Sequence, residues 1–126
     1  MPDRLKQVAA GEPSLGTSKQ LVVPIVIATI NPGSTPTTTT VTVAGLSAGT
    51  KAIEGWYEVI DTTVGDSVAI REYGTSVNRA WGRCIVAGLR HSFWFKVKID
   101  NNFRFDVWAS HLDISAIDIT ITGYYS

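Results

Sequence analysis

The sequence predicts an all-β domain, an antiparallel β-sandwich or jelly roll carrying a short N-terminal arm. Three observations predict it. Beyond residue 20, apolar residues recur with a period of two, as in Thr40-Val41-Thr42-Val43 and Ile117-Asp118-Ile119-Thr120-Ile121-Thr122. That is the pattern of a strand with one buried face. The alternating runs are short and are separated by Gly, Pro, Asn and Asp turns, such as Asn31-Pro32-Gly33-Ser34-Thr35-Pro36, a spacing suited to sandwiches and jelly rolls. Apart from the first ten residues, no segment carries a helical stripe. A chain of 126 residues, 44% of them apolar, is long enough to bury one such core.

Residues 1–20 form the arm and residues 21–126 the sandwich. In the arm, Asp3 can cap one or two helical turns over residues 4–10, with Gly11 as the stop and a linker over residues 12–18. A helix this short is marginal in water unless something docks it. Leu5, Val8 and Leu15 are its only sizeable aliphatic side chains, and burying them would contribute about 5 kcal/mol. Ordering the backbone costs ~1 kcal/mol or more per residue. The arm therefore either packs on its own domain or is held by a partner; the expectation taken forward is docking on a neighbouring subunit or on a larger partner surface, with residues 21–126 folding without it.

The strands follow in order. Residues 21–30 read as a buried strand with Pro24 at a bulge or an edge. Residues 38–44 read as a half-buried, β-branched strand. Ile53, Tyr57 and Val59 share one face of a third strand; residues 68–73 and 81–87 supply a fourth and a fifth. Phe93, Phe95, Val97 and Ile99 alternate, as do Phe103, Phe105 and Val107, around Asp100-Asn101-Asn102. A hairpin with a three-residue loop would pair Ile99 with Phe103, Val97 with Phe105 and Phe95 with Val107, keeping one face apolar. The register of a two-residue loop would mix the faces of these seven apolar side chains, forfeiting ~14 kcal/mol of gross burial. The three-residue register puts Trp94 opposite Trp108 and Lys96 opposite Asp106. The last strand, over residues 117–122, is expected inside a sheet.

Charge and composition narrow the function. Eleven acidic and eleven basic residues cancel, so the chain has no global attraction for nucleic acid or an anionic membrane. Glu54, Glu58, Asp61, Asp66 and Glu72 are opposed within residues 54–72 by Arg71 alone, and residues 79–104 are basic except for Asp100. Strand partners of opposite charge that neutralise each other are the first reading, and complementary patches on neighbouring subunits the second. Cys84 is the only cysteine, which excludes an internal disulfide, and no secretory run or Asn-x-Ser/Thr site occurs. The longest apolar stretch, residues 21–30, is too short to span a bilayer. These features point to a soluble protein made in a reducing cytoplasm.

The search for chemistry returns little. His91 and His111 would fall opposite each other, but zinc wants three or four ligands and nothing in the spacing supplies the rest. They read as histidines bonded to main chain or water. Cys84 reads as a buried, inert thiol. Ser92 and Ser110 point away from the histidines, and Asp113, Asp118, Glu54 and Glu58 read as solvated strand residues. No phosphate loop, zinc motif or calcium loop is present. No catalytic, cofactor or metal site is expected. Four tryptophans, Trp56, Trp81, Trp94 and Trp108, are many for this length. Each taken singly is expected in the core, but Trp94 and Trp108 fall on the face away from the phenylalanines. They join Leu5, Val8 and Leu15 as interface candidates.

Residues 41–53, Val-Thr-Val-Ala-Gly-Leu-Ser-Ala-Gly-Thr-Lys-Ala-Ile, and residues 117–125, Ile-Asp-Ile-Thr-Ile-Thr-Gly-Tyr-Tyr, resemble the opening and closing strands of small bacteriophage jelly-roll domains. The resemblance spans most of residues 38–126 by pattern and carries no functional residue with it. It implies a virion structural protein: a capsid decoration (cement) protein or a tail-fibre head, commonly a trimer. With no heptad shaft and no collagen-like stalk, the chain reads as an arm plus a head. That favours the cement protein, with the major capsid protein or another virion protein as partner. A receptor-binding fibre head or a small glycan-binding module is the alternative. No nucleic acid, membrane or cofactor is implied.

Overall fold

The structure is a computed structural model that describes residues 18–30, 37–110 and 114–126. The candidates Leu5, Val8 and Leu15, the turn at residues 31–36, and His111 with Asp113 lie outside the described residues. Eight strands run β1 (Ser18–Ile30), β2 (Thr37–Thr42), β3 (Ala52–Asp61), β4 (Ser67–Glu72), β5 (Asn78–Arg83), β6 (Arg90–Lys98), β7 (Arg104–Ala109) and β8 (Ile114–Tyr125). They form two four-stranded antiparallel sheets, ordered β1-β8-β3-β6 and β2-β7-β4-β5. Successive strands alternate between the facing sheets except at the β4–β5 hairpin, and this order is the eight-stranded jelly roll. The alternating residues close one core between the sheets. Tyr57, Phe95, Phe105, Ile53, Ile70, Ile114, Ile117, Ile119 and Ile121 are its largest fully buried members.

Several expectations hold. Pro24 sits on edge strand β1, within the register shift between Gln20 and Ile25, so it removes no bond from a central ladder. Strand β1 opens three residues earlier than the periodicity indicated, with Ser18, Lys19 and Gln20 paired to Tyr125, Tyr124 and Gly123. The closing strand β8 lies inside its sheet, between β1 and β3. The fifth strand occupies residues 78–83, not 81–87. Charge neutralisation is as expected: acidic β3 pairs with basic β6, placing Glu54 beside Lys96, and Arg79 of β5 meets Glu72 of β4 at 2.8 Å.

The hairpin over residues 93–107 is corrected. Its turn is tight, with the Phe103 N–H donating to the Asp100 carbonyl at 2.9 Å, but the strands then part. Strand β6 pairs with β3 in one sheet, and β7 pairs with β2 and β4 in the other. Phe95 and Phe105 therefore face each other across the core, stacked with centroids 6.1 Å apart. Lys96 lies opposite Glu54, and Asp106 opposite Thr40 and Arg71. The predicted apolar faces are buried, but by stacking two sheets and not by lying side by side in one.

Candidate functional site

None of the four tryptophans belongs to the buried core; all four lie on the outer faces of the sheets. This corrects the expectation that a single tryptophan is a core residue. In the first sheet, Trp56 on β3 alternates with the core residues Ile53, Tyr57 and Val59 and is paired in register with Trp94 on β6. The two rings are tilted by 34° with centroids 6.1 Å apart, and they are 37% and 56% exposed. In the second sheet, Trp108 on β7, Ala69 on β4 and Trp81 on β5 form one outward row. Ala69 is fully buried although it faces outward, as expected beneath two flanking indoles, and Trp81 is 54% exposed. Trp108 is half-buried under the Arg71 guanidinium, 4.9 Å from its ring, a cation–π contact.

Trp94 and Trp108 thus share outward orientation but not a sheet, and their expected cross-strand pairing is replaced by Trp56–Trp94. Trp56 and Trp81 were missed as surface residues although the signal was present. Trp56 is out of phase with Ile53, Tyr57 and Val59, and Trp81 is in phase with Arg79 and Arg83.

The Trp56–Trp94 face is flanked by polar groups that are already engaged. On one side, the Tyr125 hydroxyl donates to Glu54 Oε1, and Lys96 Nζ lies 5.2 Å from the Tyr125 ring centre. On the other, Arg90 bridges Asp118 at 2.9 Å and Glu58 at 3.6 Å, and the Ser92 hydroxyl donates to Glu58. Two exposed indoles are thus framed by donors and acceptors that are held in place by one another.

The ends of the sandwich carry other features. An open cleft of about 330 Å³ lies at one end, lined by Ala48, Gly49, Thr50, Lys51, Ile99, Asn101 and Phe103. At the other end the β3–β4 and β5–β6 loops expose Val64, Ile85, Val86 and Leu89. His91 reaches these loops: its Nε2 accepts from the Ile85 N–H at 3.1 Å, and Nδ1 lies 2.9 Å from the Leu89 carbonyl. Both ring nitrogens are engaged by main chain, as the sequence reading held.

Cys84 is buried, and burial, reinforced by the Asp61 and Asp66 carboxylates, pushes its thiol up to about 11. At pH 8 the thiolate fraction of the folded protein is therefore on the order of 100-fold below that of an ordinary thiol. Alkylation of the native protein should be slower by a comparable factor than in denaturant. Equal rates would show that Cys84 is open to solvent.

No protein-family model matches the chain, and no curated protein does. Among solved structures, the chain is similar to the carbohydrate-binding module CBM6cm-2 from Cellvibrio mixtus lichenase 5A in complex with cellotriose. That match has 12% identity and a TM-score of 0.42 over 90% of this chain and 99% of that one. It is also similar to the coat protein of Tobacco streak virus, at 15% identity and a TM-score of 0.37 over 79% and 85% of the two chains. A CBM4 structure matches at 10% identity and a TM-score of 0.38 over 93% and 83%. These likenesses are of fold, and no binding residue is carried across.

Proposed function

We propose that the chain is a non-catalytic structural protein of a virion, a capsid decoration protein that binds the shell as an oligomer. The observation that carries this reading is the outward placement of all four tryptophans, two on each sheet. An exposed indole pair loses little conformational entropy on contact and buries a large apolar area, which is why aromatic residues gather at interface centres. The faces lie back to back across the sandwich. One suits contact with copies of the chain and the other a different partner. A closed ring, a trimer by the phage resemblance, satisfies such contacts without open-ended growth. The arm, with Leu5, Val8 and Leu15, is proposed to reach the shell.

A second reading has its own support. Trp56 and Trp94, bordered by Glu54, Lys96, Glu58 and Arg90, also form a platform on which a pyranose ring could stack and hydrogen-bond. One experiment separates the two: the solution mass of the parent chain, of Trp94→Asp and of Trp81→Asp, with tryptophan fluorescence read during oligosaccharide titration. The decoration reading expects a trimer that Trp94→Asp or Trp81→Asp dissociates with the β circular-dichroism spectrum retained, and no response to sugar. A monomeric parent whose fluorescence responds to oligosaccharide overturns it in favour of the glycan-binding module.

A further inference from the structure

The end of β3 and the loop that follows it read Asp61-Thr62-Thr63-Val64-Gly65-Asp66, with a carboxylate at each end. Asp61 is 0% exposed. Its Oδ1 accepts from the Thr63 N–H at 3.2 Å, whereas its Oδ2 is buried without any hydrogen-bond donor. Burial raises the Asp61 pKa, and the neighbouring Asp66 carboxyl raises it further, against donation from the Thr63 and Asp66 N–H groups. The same Thr63 holds that carboxyl, its hydroxyl donating to Asp66 Oδ2 at 3.0 Å. Among the described residues, neither carboxylate forms an ion pair. The adjacent Cys84 thiol is kept neutral by burial and by these same two carboxylates. Two carboxylates on one threonine, one of them buried with an oxygen short of a donor, are relieved by a bound cation or by a shared proton.

We infer that Asp61 and Asp66 hold a hard divalent cation, Ca²⁺, with oxygens of the same loop and water completing its shell. The donor set selects the metal. It is all oxygen, which suits Ca²⁺ or Mg²⁺ and not zinc. Among the described residues, no three His, Cys, Asp or Glu side chains converge on a metal position, so carbonyl and water oxygens must supply the rest of the shell. Ca²⁺ tolerates an irregular loop, whereas Mg²⁺ demands a near-ideal octahedron. Thr62, Thr63 and Val64 are exposed, so the segment between the two carboxylates lies at the surface.

The cation would fasten more than its own loop. The Asp61 carbonyl accepts from the Gly88 N–H at 2.7 Å, the Asp66 carbonyl from the Cys84 N–H at 2.9 Å, and the Cys84 carbonyl from the Gly65 N–H at 2.9 Å. These bonds stitch the β3–β4 loop to the β5–β6 loop that carries Ile85, Val86 and Leu89. Binding at Asp61 and Asp66 therefore sets the aliphatic end of the sandwich.

Two carboxylates imply a dissociation constant of about 10⁻⁴–10⁻³ M. After chelation, the full chain should melt about 5 °C or more higher in about 10 mM Ca²⁺ than in chelator at neutral pH, and Mg²⁺ should do markedly less. Asp66→Asn, at the more open position, and Asp61→Asn should each abolish that shift, and calorimetric titration of the parent should give about one Ca²⁺ per chain. A parent indifferent to Ca²⁺, with Asp61→Asn melting above it at neutral pH, would mean that the pair shares a proton, and the inference fails. It fails equally if both variants keep the parent's Ca²⁺ shift.

Discussion

Replacing Gly55 by alanine is expected to destabilise the fold by about 3 kcal/mol, the upper end of overpacking costs. Gly55 lies in β3, which pairs with β8 on one side and β6 on the other. The β3–β8 ladder slips there: Glu54 is paired with Gly123, but Gly55 with Ile121, leaving Thr122 as an extra residue. The slip draws the two backbones together. A Cβ on Gly55 would stand 1.9 Å from the Thr120 carbonyl oxygen, 2.9 Å from its carbon and 3.0 Å from the Ile121 Cα. All three are main-chain atoms of an interior strand, so no rotamer change relieves the clash. Relief requires parting β3 from β8 where Tyr57, Ile119 and Ile121 pack. Chemical denaturation of Gly55→Ala against the parent measures the loss. A change below about 1 kcal/mol would mean that the slip is not held in solution.

Gly82→Ala is expected to cost about 2 kcal/mol, and for a different reason. Gly82 faces inward on β5, an edge of the second sheet, where the Phe93 ring of β6 closes the sandwich. A Cβ there would come within 2.4 Å of Phe93 Cδ1 and Cε1 and 2.5 Å of Cγ. Cγ is the root of the ring, so Phe93 would have to leave its rotamer. It would lose its packing against Tyr57, centroids 5.3 Å apart, and against His91, 6.4 Å away. Because the obstacle is one side chain, the cost should be coupled to it. In a Phe93→Ala background, Gly82→Ala should be nearly neutral, a coupling of ~1–2 kcal/mol in a double-mutant cycle. Additive effects would locate the cost in the β5 backbone instead.

Much of this architecture is legible in the residues because burial in a strand is a matter of phase. Ile53, Tyr57, Val59, Phe95, Val97, Phe105, Val107, Ile117 and Ile119 occupy alternate positions, and each lies in the core. The same phase marks Trp94, Trp108, Trp56 and Trp81 as outward, although only the first two were read that way. Charge alternation likewise anticipated that acidic β3 and β4 would meet basic β6 and β5.

Neighbourhood was not legible. A period of two names the buried face of a strand but not the strand beside it. The apolar faces of β6 and β7 are satisfied equally by lying adjacent in one sheet or by meeting across two. A short turn between them favours adjacency locally, and only the competing partners β3, β2 and β4, distant in sequence, draw them into separate sheets. That choice separated Trp94 from Trp108 and gave Trp94 its true neighbour, Trp56. Asp61 shows the same division. Its sequence position is that of a solvated acid beside a turn, and its carboxylate lost water only when the β3–β4 and β5–β6 loops closed over the end of the sandwich. Phase is set by each residue and its immediate neighbours; pairing and the burial of a loop are set by which distant segments compete for the same surface.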